Sequence, residues 1–131
     1  MAKALHMMVR VLDEKRSIDF YTKAFGLSVA GRYDWPDFTL IYLRNPKADS
    51  EVELTVNKGR TEPYELGTGY GHLAFVVDDV EAERARMVAE GLAPKDIKQM
   101  THDGKPFGRF FFIEDPDGYK IEVLERAGRF A

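Results

Sequence analysis

Two stretches decide how this chain is read: His6-Met7-Met8-Val9-Arg10-Val11-Leu12-Asp13 and, further on, His72-Leu73-Ala74-Phe75-Val76-Val77-Asp78-Asp79. Each opens on histidine, runs through apolar and β-branched residues that favour a strand, and ends at an aspartate that precedes a charged, helix-favouring segment. A pattern of strand then helix that occurs twice is an internal repeat, and the chain divides between its copies near Tyr64 to Thr68.

Working outward, the segments after the two openings match as well. Asp13 can cap a helix carrying Ile18, Tyr21 and Phe25 on one face, with Gly26 placed to end it. Asp78 and Glu81 form a capping-box pattern ahead of a second helix, on which Ala85, Val88 and Leu92 hold the helical spacing and Gly91 marks the end. Strand-like runs follow in each half: Phe38 to Leu43 and Glu51 to Val56 in the first, Arg109 to Ile113 and Tyr119 to Leu124 in the second. Asp115-Pro116-Asp117-Gly118 is a turn between the last two. Weaker strands around Leu27 to Tyr33 and Ile97 to Met100 complete a βαβββ unit in each half. The expected fold is therefore α+β, one domain over residues 1–131 made of two tandem βαβββ modules, about 1–65 and 66–131.

Composition narrows the chemistry. At 131 residues the chain suffices for one domain with a core, and 44% hydrophobic with 31% charged residues is ordinary for a soluble protein. A net charge of -3 with acids and bases interspersed offers no basic patch for phosphates, so nucleic acid is not an expected partner and small molecules are. No run approaches the ~18 apolar residues that would span a bilayer, and the opening lacks a signal-peptide core, so no membrane association and a cytoplasmic location are expected. With no cysteine, a metal here must be held by His, Asp or Glu.

The repeat turns scattered residues into a constellation. His6 and His72 open the first strands of the two modules, while Glu53 (in Val-Glu-Leu) and Glu122 (in Ile-Glu-Val) lie in the last strands, at offsets of 53 − 6 = 47 and 122 − 72 = 50. A lone strand histidine is usually a core or surface residue, and a lone alternating glutamate a solvated one. Four in register across a repeat reverse that expectation, and the repeat relation then brings two imidazoles and two carboxylates to one locus. Nitrogen and oxygen donors without sulfur suit a borderline or hard divalent ion. His102 has no counterpart and falls in a polar Thr-His-Asp-Gly stretch, where no ligand role is read. Four residues along a strand span ~13 Å and return to the same face, so Arg10 shares the face of His6 and Asn57 that of Glu53, each a tripeptide's reach from the ion.

At these residues the chain resembles the vicinal oxygen chelate superfamily and, within it, the short bacterial glyoxalase I family. The resemblance runs from Leu5 to about Glu125, and its most specific pieces are Arg16-Ser-Ile-Asp-Phe-Tyr-Thr-Lys23, Glu53-Leu-Thr, Tyr64-Glu-Leu-Gly-Thr68 with Tyr70-Gly-His72, and Asp115-Pro-Asp-Gly-Tyr-Lys-Ile-Glu122. It implies curved mixed sheets around a metal site at a homodimer interface, with His6 and Glu53 from one subunit and His72 and Glu122 from the other. It implies that Arg10 and Asn57 hold the γ-glutamyl end of glutathione, as a guanidinium and an amide should, and that Lys105 and Arg109 meet its glycyl carboxylate. The cofactor expected is Ni²⁺, with Co²⁺, Mn²⁺ and Zn²⁺ open, because the short chain resembles the nickel- and cobalt-activated class. Another low-molecular-weight thiol also remains open.

The reaction implied is isomerisation of the hemithioacetal of methylglyoxal and glutathione to S-lactoylglutathione through an enediolate, a lyase activity that detoxifies methylglyoxal. A Lewis acid on the two adjacent substrate oxygens is needed because the carbon acid is too weak for a free carboxylate. Glu122 is expected to be the principal base, Glu53 its partner, and Phe110, Phe112 and Trp35 the apolar wall for the aldehyde substituent. The rival readings are another metalloenzyme of the superfamily, epimerase or dioxygenase-like, and a non-catalytic dimeric small-molecule binder. An acid at Glu53 speaks against the first, since the related dioxygenases lack one there and epimerases usually carry glutamine. The complete ligand set speaks against the second.

Overall fold

The computed structural model describes residues 1–131, which form two compact units, Met1–Glu65 and Leu66–Ala131. In the first, β1 (His6–Arg10) leads to α1 (Glu14–Phe25), then β2 (Ser28–Asp34), β3 (Phe38–Arg44) and β4 (Glu51–Asn57). In the second, β5 (Leu73–Val77), α2 (Val80–Ala89), β6 (Lys98–His102), β7 (Lys105–Glu114) and β8 (Lys120–Glu125) follow in the same order, with a short 3₁₀ turn at Gly128–Phe130. The sheets are ordered β1-β4-β3-β2 and β5-β8-β7-β6. In each, the first strand lies parallel to the last and the remaining pairs are antiparallel. Two βαβββ modules with one topology are what the repeat implied.

In the first unit Asp13 caps α1 by accepting from the Arg16 amide at 2.9 Å, and Gly26 ends it at φ 64, where a side chain would be strained. Ser17, Phe20, Tyr21 and Ala24 of the helix are buried, as are alternate strand residues Val9, Ile41, Leu43, Val52 and Leu54. Burying each large apolar side chain contributes roughly 1.5–3 kcal/mol, so this one-sided pattern decides which face of the sheet turns inward. Strand period 2 then commits His6, Met8 and Arg10 of β1, and Glu51, Glu53, Thr55 and Asn57 of β4, to the other face.

The second unit follows the same logic, with Phe111, Ile113, Ile121 and Val123 at 0% exposure on the inward face. Its turn from β7 to β8 is pinned by Asp115, whose carboxylate accepts from the Asp117 and Tyr119 amides at 2.9 and 3.0 Å. Three local expectations need correction. The cap of α2 is Asp79, accepting from the Ala82 amide at 3.0 Å, while Asp78 pairs with Arg126. Starting one residue later rotates the helix by ~100°, so Val80 and Met87 are buried, Ala85 is exposed and Val88 is 53% exposed. Lastly, His102 ends β6, and Asp103-Gly104, at φ 51 and 74, make a tight two-residue turn into β7 at Lys105.

Candidate metal centre

The ladder register sets the neighbours of each acid. Glu53 is opposed by Met8 across the parallel β1–β4 pair and by Tyr42 across β3–β4. His6 lies two positions before Met8 on the same face, and its Nε2 comes to 2.9 Å from Glu53 Oε2. Glu53 is only 8% exposed, and a carboxylate withdrawn from water needs partners. The imidazole is one, and the Tyr42 ring stands opposite Glu53 in the β3–β4 ladder. Burial first, then the neighbouring Glu53 carboxylate, raises the phenol above its ordinary pKa.

In the second unit Glu122 is opposed by Ala74 and Phe112. His72 precedes β5 by one residue, two positions before Ala74, and its Nε2 lies 3.6 Å from Glu122 Oε2. The Phe112 ring packs edge-on against the imidazole at 5.3 Å, and Phe110 stands 5.7 Å further along. Each unit therefore presents one His–Glu pair in an equivalent setting, and no third His, Asp or Glu joins either within the chain. Imidazole nitrogen and carboxylate oxygen, 2.9 Å apart in one pair and 3.6 Å in the other, are a donor set that fits a divalent cation.

The other candidates are sorted by the same register. Arg10 ends β1 on the face of His6, opposite Thr55. Asn57 closes β4 on the face of Glu53 and donates to the Tyr64 hydroxyl at 3.0 Å. The Arg60 guanidinium lies 4.1 Å from the Tyr64 ring centroid and donates to the Glu62 and Pro63 carbonyls, which ties down the segment after β4. Sequence reasoning passed over Tyr64 as a partner of Asn57, although Tyr64 opens the Tyr64-Glu-Leu-Gly-Thr68 motif. Trp35 stacks on Phe38 at 4.8 Å, and Phe38 opposes Asn57, so Trp35 belongs to the far end of this face and not to the wall beside Glu53.

Arg109 is a clear departure. It alternates with Phe110 and Phe112 and so points to the opposite face of its sheet from Glu122, where its guanidinium binds Glu81 of α2 and approaches Glu125 at 3.6 Å. The hydrogen bond to Glu81 raises its pKa. Its guanidinium is thus engaged by two carboxylates on the helix side, on the opposite face of the sheet from Glu122. Lys105 stands at the exposed start of β7, opposite His102. Cations do occur on the Glu122 face: a cavity of about 240 Å³ beside Phe112 is lined by Lys95, Asp96, Lys98, Glu114 and Lys120. The Lys95 amide is fixed to the Phe112 carbonyl at 2.8 Å, and Arg84 holds the Lys95 carbonyl and the Asp96 carboxylate. These lysines were missed because nothing in sequence spacing ties them to Glu122.

Paired βαβββ modules, each carrying a His–Glu pair on the face turned from its helix, define a class. The chain belongs to the glyoxalase/bleomycin resistance protein/dioxygenase superfamily, whose family model matches residues 3–123. Among its relatives is a lactoylglutathione lyase of Escherichia coli, 39% identical, with the match covering 97% of this chain and 96% of that one. Among solved structures, the trypanothione-dependent glyoxalase I of Leishmania major is 36% identical with a TM-score of 0.76, over 95% of this chain and 87% of that one. Glyoxalase I of Zea mays is 33% identical with a TM-score of 0.82, over 96% of this chain and 45% of that longer one. No helix is long and apolar enough to cross a membrane.

Proposed function

We propose that this chain is a lactoylglutathione lyase of glyoxalase I type, acting in the cytoplasm on the hemithioacetal that methylglyoxal forms with glutathione. The observation that carries the reading is the two register-matched pairs, His6 with Glu53 and His72 with Glu122, in a chain whose relatives bear that name. Two protein donors are half of a usable shell. In a homodimer, His6 and Glu53 of one protomer would meet His72 and Glu122 of the partner subunit, giving two shared sites. Ni²⁺ is the ion proposed; when bound, it would polarise the two adjacent oxygens of the substrate as a Lewis acid.

The chain's own residues do the rest. Arg10 and Asn57, on the His6–Glu53 face, anchor the γ-glutamyl end, and the Tyr64 hydroxyl holds the Asn57 amide in orientation. Lys105, with the lysines lining the cavity beside Phe112, supplies cations for the glycyl carboxylate in place of Arg109. Phe110 and Phe112 exclude water beside the reacting carbons. Glu122 removes the proton from C1 and returns it to C2, and the C1 hydroxyl proton passes to the C2 oxygen, so the C1 hydroxyl becomes the thioester carbonyl while the C2 ketone becomes a hydroxyl.

The test is direct: metal-reconstituted protein mixed with methylglyoxal and glutathione should form thioester, followed by ultraviolet absorbance. Silence with glutathione but turnover with another thiol would move the thiol assignment. Silence with every thiol, with metal bound, would sink the reading.

A further inference from the structure

Trp35 is the chain's single tryptophan, and it is held from several sides. It begins the turn from β2 to β3. Its amide donates to the Phe38 carbonyl at 2.9 Å, its carbonyl accepts from Lys58 Nζ at 2.6 Å, and its ring stacks on Phe38 at 4.8 Å and 15°. Lys58 also pairs with Asp34 at 2.9 Å, and the Thr39 hydroxyl donates to Asp34 at 2.6 Å, so the turn is clipped to the end of β4. Despite these ties Trp35 is 42% exposed. A turn of this kind needs no tryptophan to form, and an indole left open to water forgoes the burial that a core position would give it.

The position of the ring suggests its use. Phe38 opposes Asn57, which shares a face with Glu53, and Arg10 opposes Thr55, two residues before Asn57. The Asn57 amide nitrogen donates to the Tyr64 hydroxyl, which leaves the side-chain carbonyl of Asn57 as an acceptor. This end of the face therefore gathers a guanidinium, a carbonyl acceptor and a fixed aromatic ring. The terminus of an α-amino acid carries a carboxylate and an ammonium together. A guanidinium suits the first. For the second, the Asp34 carboxylate is already committed to Lys58 and Thr39, whereas the indole face is the strongest aromatic seat for an ammonium.

We propose that Trp35, with the Asn57 carbonyl beside it, seats the α-ammonium of the γ-glutamyl group, and so selects thiols that end in a free amino-acid zwitterion. The proposal rests on the glyoxalase I reading above. Two carboxylates, Asp34 and Asp37, against the one ammonium of Lys58 leave the surroundings of the turn acidic, which favours a cation. Arg60, whose own amide bonds the Asn57 carbonyl of the main chain, does not compete for the indole, since its guanidinium is engaged by the Tyr64 ring and the Glu62 and Pro63 carbonyls.

Because there is one tryptophan, its emission reports on this site alone. Metal-loaded wild-type protein is titrated with S-methylglutathione and with its des-amino analogue, in which hydrogen replaces the γ-glutamyl ammonium, while calorimetry measures each Kd independently. S-methylglutathione should shift the Trp35 emission with the calorimetric midpoint, and the des-amino analogue should bind about fivefold more weakly with a smaller shift. In Trp35→Leu, binding of S-methylglutathione should weaken about fivefold and that of the des-amino analogue less than about twofold, with Trp35→Tyr between wild type and Trp35→Leu. A merely structural role would weaken both ligands alike. The assignment is overturned if S-methylglutathione binds without moving the emission, or if Trp35→Leu costs both ligands the same factor. Should Trp35→Leu fail to fold, the wild-type titrations still decide. Protein that neither turns over any hemithioacetal nor binds S-methylglutathione defeats the glyoxalase I reading and the assignment with it, whereas binding with unmoved emission defeats the assignment alone.

Discussion

At the scale of single residues, what matters is which face of a strand a side chain takes and who meets it there. Arg10 and Arg109 show the contrast. Both are strand arginines, yet Arg10 lies on the face of His6 whereas Arg109 points to the helix side and binds Glu81 and Glu125. Replacing Arg10 by alanine should raise KM for the glutathione hemithioacetal about tenfold, a loss of about 1.4 kcal/mol, with kcat little changed, because it removes binding remote from the reacting carbons. Steady-state kinetics of Arg10→Ala check this, and an unchanged KM removes Arg10 from the site.

At the scale of elements, α2 shows how one position changes what a helix buries. Its cap is Asp79, and from there Val80 and Met87 fall on the buried side. Asp79→Ala should destabilise the protein by about 1 kcal/mol, a fall of roughly 2–5 °C in the thermal midpoint. Asp78→Ala should cost less, since Asp78 only pairs with Arg126 at the surface. Thermal unfolding of the two variants side by side makes the comparison, and a larger loss for Asp78→Ala would return the cap to that residue.

At the scale of the whole molecule, each chain contributes two His–Glu pairs, and the proposed assembly combines one pair from each of two protomers. Mixing His6→Ala with Glu122→Ala protein under exchange conditions tests it. In a shared-site heterodimer both lesions fall in one site and the other is intact, so an equal mixture, about half of it heterodimer after random exchange, should recover toward about a quarter of wild-type activity; no recovery, with exchange verified, would mean that each chain builds its own site. The ion is tested by reconstituting apoprotein. Ni²⁺ or Co²⁺ should give turnover and Zn²⁺ little, because Zn²⁺ accepts fewer ligands and can shed positions that the substrate must fill. Zn²⁺ activity equal to or above that of Ni²⁺ would reverse the metal assignment while leaving the ligands untouched.

Much of this was determined by the sequence alone. The repeat, the βαβββ order, the Asp13 cap, the Asp115 turn and the equivalence of His6–Glu53 with His72–Glu122 are local patterns of period and spacing, and local patterns survive in one dimension. The tertiary structure decided what depends on cross-strand register and on helix phase. Whether Arg109 faces Glu122 or Glu81, whether Trp35 stands near Glu53 or near Asn57, and which of Asp78 and Asp79 starts α2 are settled by a shift of one residue, and a shift of one residue reverses a strand's faces or turns a helix by ~100°. The lysines beside Phe112 and the Tyr64 hydroxyl on Asn57 belong to the same group. They come from separate segments of the chain, and only the packing of the apolar face determines which of them meet.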